Sequence, residues 1–139
     1  MSMTRREAIL WGTSAAVALS LPISAQAAMI DEAIATFTGG ADAAEGSVTL
    51  DAPEIAENGN TVPVSVSAEG AVAIAIFAAG NPNAEVATFK FGPLAGSRTA
   101  STRIRLAKTQ DLVAVAQMED GSFQMATRNV KVTIGGCGG

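Results

Sequence analysis

Cys137 is the one cysteine of this 139-residue chain, and it stands third from the end in Gly135-Gly136-Cys137-Gly138-Gly139. A thiol destined for a core is flanked by side chains that help bury it. Here the neighbours have none. Glycine opens most of backbone conformational space, and chain ends are poorly ordered unless something ties them down. The pattern describes a reactive sulfur on a slim, flexible arm. From Ile134 to Cys137 that arm reaches about 10 Å, at ~3.3–3.6 Å per residue. A cysteine attacks only as thiolate, and an ordinary thiol ionises near pH ~8.5. Nothing beside Cys137 favours ionisation: the nearest cation in sequence is Lys131, and the Gly139 carboxylate opposes it. The sequence offers a covalent handle without an activator. That is the arrangement of a carrier loaded by other enzymes, not of a catalyst.

Other chemistry is excluded by what the chain lacks. It has no histidine, so a Ser-His-Asp triad, a Cys-His dyad and a histidine-ligated metal cannot be built. One cysteine excludes a cysteine-rich zinc site, an iron–sulfur cluster and an internal disulfide. No glycine-rich phosphate loop precedes a helix. The expectation is a protein with no metal site and no cofactor beyond what the thiol carries. The carboxylates Glu54, Glu57, Glu69, Glu85 and Asp111 are scattered and read as solvated surface, not as a catalytic pair. Arg98, Arg103, Arg105 and Lys108 form a basic stripe, a solvated strand face or a docking surface for a partner.

The N-terminus reads as an export signal. Arg5 and Arg6 precede an apolar run over residues 8–23, and Ala25-Gln26-Ala27 supplies the small residues that a signal peptidase reads. The run is interrupted by Gly12, Ser20 and Pro22 and falls short of the ~20 residues a membrane span needs, so no membrane anchor is expected. Residues 1–27 form a twin-arginine signal removed on export, which places the mature protein in the periplasm. Cleavage after Ala27 leaves residues 28–139, enough for one small domain. It takes Arg5, Arg6 and Glu7 from 9 basic and 13 acidic residues and leaves a net charge of −5. A nucleic-acid binder shows the opposite balance.

The handle needs a rigid base, and the intervening sequence predicts one. Residues 28–37 lack Gly and Pro, and Ile30, Ile34 and Phe37 recur at helical spacing. After a loop over 41–46, strand signals follow at 47–50, 61–67, 71–77, 85–91, 98–106, 111–118 and 122–134. Asn58-Gly59-Asn60, Asn81-Pro82-Asn83 and Glu119-Asp120-Gly121 mark turns between them. Residues 71–77 read as a strand buried on both faces. Pro63 predicts that its strand runs along an edge or through a bulge. In the last strand the apolar face changes from Phe123 and Met125 to Val130, Val132 and Ile134, which predicts a bulge between them. About seven short strands with turns between them predict an immunoglobulin-like antiparallel β-sandwich, with a short N-terminal helix. That gives a signal at 1–27, a sandwich domain at 28–134 and an arm at 135–139.

The terminal GGCGG motif, following an exported sandwich, resembles the SoxY family, the sulfur carriers of the bacterial Sox system. The stretch Leu50-Asp51-Ala52-Pro53-Glu54-Ile55-Ala56-Glu57-Asn58-Gly59-Asn60-Thr61-Val62-Pro63-Val64 is similar to that family as well. The resemblance implies that Cys137 is the covalent attachment site for sulfur intermediates. It makes Gly135, Gly136, Gly138 and Gly139 the swinging arm. It also implies a heterodimer with a SoxZ-like small β-sandwich subunit. Loading of thiosulfate would fall to a haem protein, release of sulfate to a manganese enzyme and oxidation of the remaining sulfur to a molybdenum–haem enzyme. The alternative from the residues is an exported structural or adhesive sandwich that dimerises through a Cys137 disulfide. A ubiquitin-like carrier with a terminal Gly-Gly thiocarboxylate conflicts with the signal and the strand-rich sequence. A prenylation site needs the cysteine one position earlier.

Overall fold

The structure, a computed structural model, describes residues 23–135, with side chains from residue 28. One helix, α1 (Ile23–Thr38), precedes nine strands among the described residues. These are β1 (Ala43–Glu45), β2 (Val48–Asp51), β3 (Ile55–Ala56), β4 (Val62–Ala68), β5 (Ala71–Ala78), β6 (Glu85–Lys90), β7 (Thr99–Ile104), β8 (Gln110–Met118) and β9 (Phe123–Val132). The helix starts five residues before the expected 28, directly after Pro22 in sequence. Residues 24–28 are Ser, Ala, Gln, Ala and Ala, with no glycine or proline to delay it.

Two sheets face each other. One runs β1-β9-β8-β5-β6, with β3 added beside β9; the other runs β2-β4-β7. The pairing is antiparallel except along the outer edge of β9, where β1 and β3 both lie parallel to it. These two short strands account for the excess over seven. Both fall in stretches rich in small and acidic residues, with no alternating pattern to announce them. They cover the two ends of an edge that would otherwise present unpaired backbone groups.

Alternation decides the core. Val62, Val64 and Val66 of β4, Ile74 and Ile76 of β5, Ile104, Leu106, Leu112 and Val130 are buried between the sheets. The other face of the larger sheet is also covered, because α1 lies on it. Ala75, Phe77, Val113, Val115 and Phe123 form a second cluster with Ile30, Ile34 and Phe37. The Phe37 ring meets Phe77 and Phe123 edge-on, with centroids 6.2 and 6.0 Å apart. Residues 71–77 are thus buried on both faces, as expected.

The same layering removes the bulge expected in β9. Its register with β8 is unbroken from Gln110↔Val130 to Gln117↔Phe123. The apolar residues change parity because Phe123 and Met125 face the helix while Val130 and Val132 face the other sheet. Register shifts occur instead in β5, at Ile76/Phe77 against β6 and at Ala71/Ala73 against β8. The expectation at Pro63 is also modified. Its strand is the middle one of three, but β2 ends where Asp51 pairs with Ser65. Pro63 therefore has a neighbour only in β7, at Arg103. It sits at a local edge, where its missing N–H leaves no ladder bond unmade.

Candidate functional site

β9 delivers the chain to its C-terminal tail, and the tail leaves the sandwich between two connecting segments. One is residues 54–60, which follow β2. The other is residues 105–109, which join β7 to β8. Before the exit, the Val132 amide donates to Thr109 Oγ1 at 2.9 Å, and the Thr133 amide donates to the Ala56 carbonyl at 3.1 Å. Thr133 Oγ1 donates to the Glu57 carbonyl at 2.9 Å. The Gly59 amide then donates to the Ile134 carbonyl at 2.7 Å, and the Gly59 carbonyl accepts from the Leu106 amide at 2.8 Å. Gly59 therefore ties both segments to the exit. Gly135 lies against the Ala107 carbonyl, so close that a β-carbon at this position would collide with that oxygen. The first glycine of the motif is thus required by backbone contact.

The segment under Gly135 is held from below. Residues 105–109 belong to no strand, so their backbone groups need other partners. Buried Asn81 and Gln110 supply them. Asn81 Nδ2 donates to the Arg105 carbonyl at 2.8 Å, and Asn81 Oδ1 accepts from the Ala107 amide at 3.0 Å. Gln110 Nε2 donates to Asn81 Oδ1 and to the Lys108 carbonyl, each at 2.9 Å, while its Oε1 accepts from the Gly80 amide at 2.8 Å. Around the exit, Ile55 and Ile134 are large apolar side chains left 58% and 66% exposed.

Of the residues singled out in the sequence, Gly135 is at this exit. Cys137, Gly136, Gly138, Gly139, Arg5 and Arg6 lie outside the described residues. The scattered carboxylates stay scattered: Glu85 accepts from Thr88, and Asp111 from Asn129. Among the described residues no group of three or more His, Cys, Asp or Glu could hold a metal ion, and no helix is long and apolar enough to cross a membrane. The basic stripe is divided. Arg98 pairs with Glu119 at 3.2 Å at the far end of the sandwich, whereas Arg105 and Lys108 lie beside the exit. A groove of about 620 Å³ over Pro53, Pro63, Ser101 and Arg103 contains none of the exit residues. Sequence reasoning marked Asn58-Gly59-Asn60 and Asn81-Pro82-Asn83 only as turns. It missed that Gly59 and Asn81 secure the exit, and it missed Thr109, Gln110 and Thr133. Their partners lie tens of residues away, and only a buried Asn or Gln beside a long link could have hinted at them.

Comparison with known proteins agrees with this architecture. Among curated protein sequences none matches. The structure resembles the sulfur carrier protein SoxY from Chlorobium limicola, with 42% identity and a TM-score of 0.68 over 78% of this chain and 99% of that one. It also resembles a superoxide reductase (neelaredoxin) from Ignicoccus hospitalis, with 19% identity and a TM-score of 0.56 over 65% and 82% of the two chains. A putative superoxide reductase from Thermotoga maritima is similar at 16% identity and a TM-score of 0.52, covering 61% and 84%. These last two likenesses establish a common fold and nothing more. A family model described as sulfur oxidation protein SoxY matches residues 34–137, from the second half of α1 to the lone cysteine. The chain belongs to the SoxY family.

Proposed function

We propose that this protein carries sulfur intermediates covalently on the Cys137 thiol and presents them to partner enzymes of sulfur oxidation. Membership of the family gives the coarser part: a sulfur carrier, the substrate-bearing subunit and not an enzyme. The observation that supports the finer part is that the family match extends to residue 137, the chain's one thiol. A fixed root suits the role. From Gly135, seated against Ala107, to Cys137 is two residues, at most about 7 Å of reach. Sulfur is thereby held close outside a rigid domain and can enter a narrow channel.

In this reading thiosulfate and the thiol lose two electrons between them and form a sulfur–sulfur bond, and the electrons pass to a partner haem protein. Water then displaces the terminal sulfonate as sulfate on a manganese enzyme, leaving a persulfide on Cys137. A molybdenum–haem enzyme takes further electrons from that sulfur as water supplies its oxygens. The chain's own residues offer no base or metal for these steps. A SoxZ-like subunit pairs with the sandwich, and the Arg5-Arg6 signal exports the folded pair to the periplasm.

Cys137→Ser tests the reading. It should abolish thiosulfate-dependent growth and leave the unfolding temperature unchanged. Growth at the parental rate would refute it, and a loss of stability on the scale of a core substitution would make the cysteine structural.

A further inference from the structure

The structure assigns Asn81 and Gln110 the role of positioning residues for the carrier arm. The inference rests on the carrier reading above and concerns where the arm is rooted. Residues 105–109 cross from the smaller sheet to the larger without strand partners. Three of their backbone groups, the Arg105 carbonyl, the Ala107 amide and the Lys108 carbonyl, are satisfied by these two side-chain amides. Asn81 is only 5% exposed and Gln110 only 6%, so both amides hold the segment from the interior of the domain. Both amides are carried by the rigid part of the molecule. Asn81 follows β5, where its own amide donates to the Ala78 carbonyl, and Gln110 opens β8, paired with Val130.

The same segment receives Gly135. The contact is backbone against backbone, Gly135 on the Ala107 carbonyl, with no side chain between to absorb a displacement. A shift of Ala107 therefore reaches the root of the arm directly. The Gly59 bridge, from Leu106 to Ile134, carries the same shift by a second route. The amide couple thus sets where the root of the arm sits on the sandwich, although neither side chain lies on the arm. Its effect belongs to docking of the thiol in a partner's site and not to the reactivity of the thiol.

Hydrogen exchange and loading test this on the full chain. Asn81→Ala should speed exchange of the Gly59 amide at least tenfold relative to the Glu119 amide at the far end. The fraction of chains carrying a sulfur adduct on Cys137 in thiosulfate-grown cells should fall at least fivefold. Alkylation of the free thiol by iodoacetamide, which needs no docking, should proceed at the parental rate. Gln110→Met keeps the shape without the hydrogen bonds and should do the same; it decides the matter if Asn81→Ala does not fold. Phe37→Ala, which loosens the helix layer, is the control and should leave the Gly59-to-Glu119 ratio unchanged. Equal acceleration at both ends, or the same change of ratio with Phe37→Ala, would overturn the assignment. Absence of any adduct on the parental protein would instead refute the carrier reading, while the exchange ratio would still decide the positioning role.

Discussion

The sandwich is closed differently at its two ends. At the far end, turns are made by residues close in sequence. Asp120 Oδ1 accepts from the Ser122 amide at 2.8 Å and from its hydroxyl at 2.6 Å, and Gly121 adopts φ 85°, a conformation that L side chains rarely take. The Arg98–Glu119 ion pair sits there with Glu119 largely exposed. At the exit end, closure relies on bonds between distant parts of the chain: Asn81 to Arg105 and Ala107, Thr133 to Glu57, Gly59 to Ile134 and Leu106. At the far end the chain reverses by local turns, and distant segments meet through plain backbone bonds, the Ala68 amide to the Arg98 carbonyl and the Glu119 amide to the Gly70 carbonyl. The end that releases a tail bearing a thiol is fixed from several directions, and two of the side chains that fix it, Asn81 and Gln110, are buried, so a partner they lose is costly.

Glycine substitutions separate the two kinds of closure. At Gly135 the obstacle is contact, so Gly135→Ala must displace either the tail or Ala107. A loss of about 2 kcal/mol by denaturant unfolding is expected, in the range of other overpacked sites, together with reduced sulfur loading. At Gly121 a β-carbon would meet nothing within 4 Å, and the obstacle is the backbone angle alone. Gly121→Ala should therefore cost about 1 kcal/mol and leave loading at the parental level. Loading impaired equally by both would break the distinction. Arg98→Ala should cost at most about 1 kcal/mol, since its partner is solvated; a larger loss in the unfolding curve would mean that the far end depends on its side-chain bonds as the exit does. The smallest effect belongs to Asp120. The Ser122 hydroxyl, and then its amide, hold this carboxyl below the usual carboxylate range. Its contribution is complete above about pH 4 and fades as the pH falls through its own lower value. Asp120→Ala should flatten the acid limb of the stability curve and change nothing at the exit, as read by Gly59 exchange.

The same contrast explains what could be read in the sequence. Alternation in β4 and β7 gave their buried faces, and Glu119-Asp120-Gly121 announced its turn, because these signals are local. The change of face in β9 looked like a bulge because one strand cannot reveal that a helix covers the far side of its sheet. β1 and β3 were invisible because they are defined by their partner β9 and not by their own composition. The motif at residues 135–139 stood out by position. The platform beneath it did not, since Asn81 and Gln110 are ordinary polar residues until the fold places them under residues 105–109.

The central claim is that Cys137 carries sulfur. Intact-mass analysis of the protein from thiosulfate-using cells tests it most directly. The account predicts sulfur-containing adducts that map to Cys137 and disappear on reduction. A population consisting only of free thiol, or of a simple disulfide dimer, would contradict it.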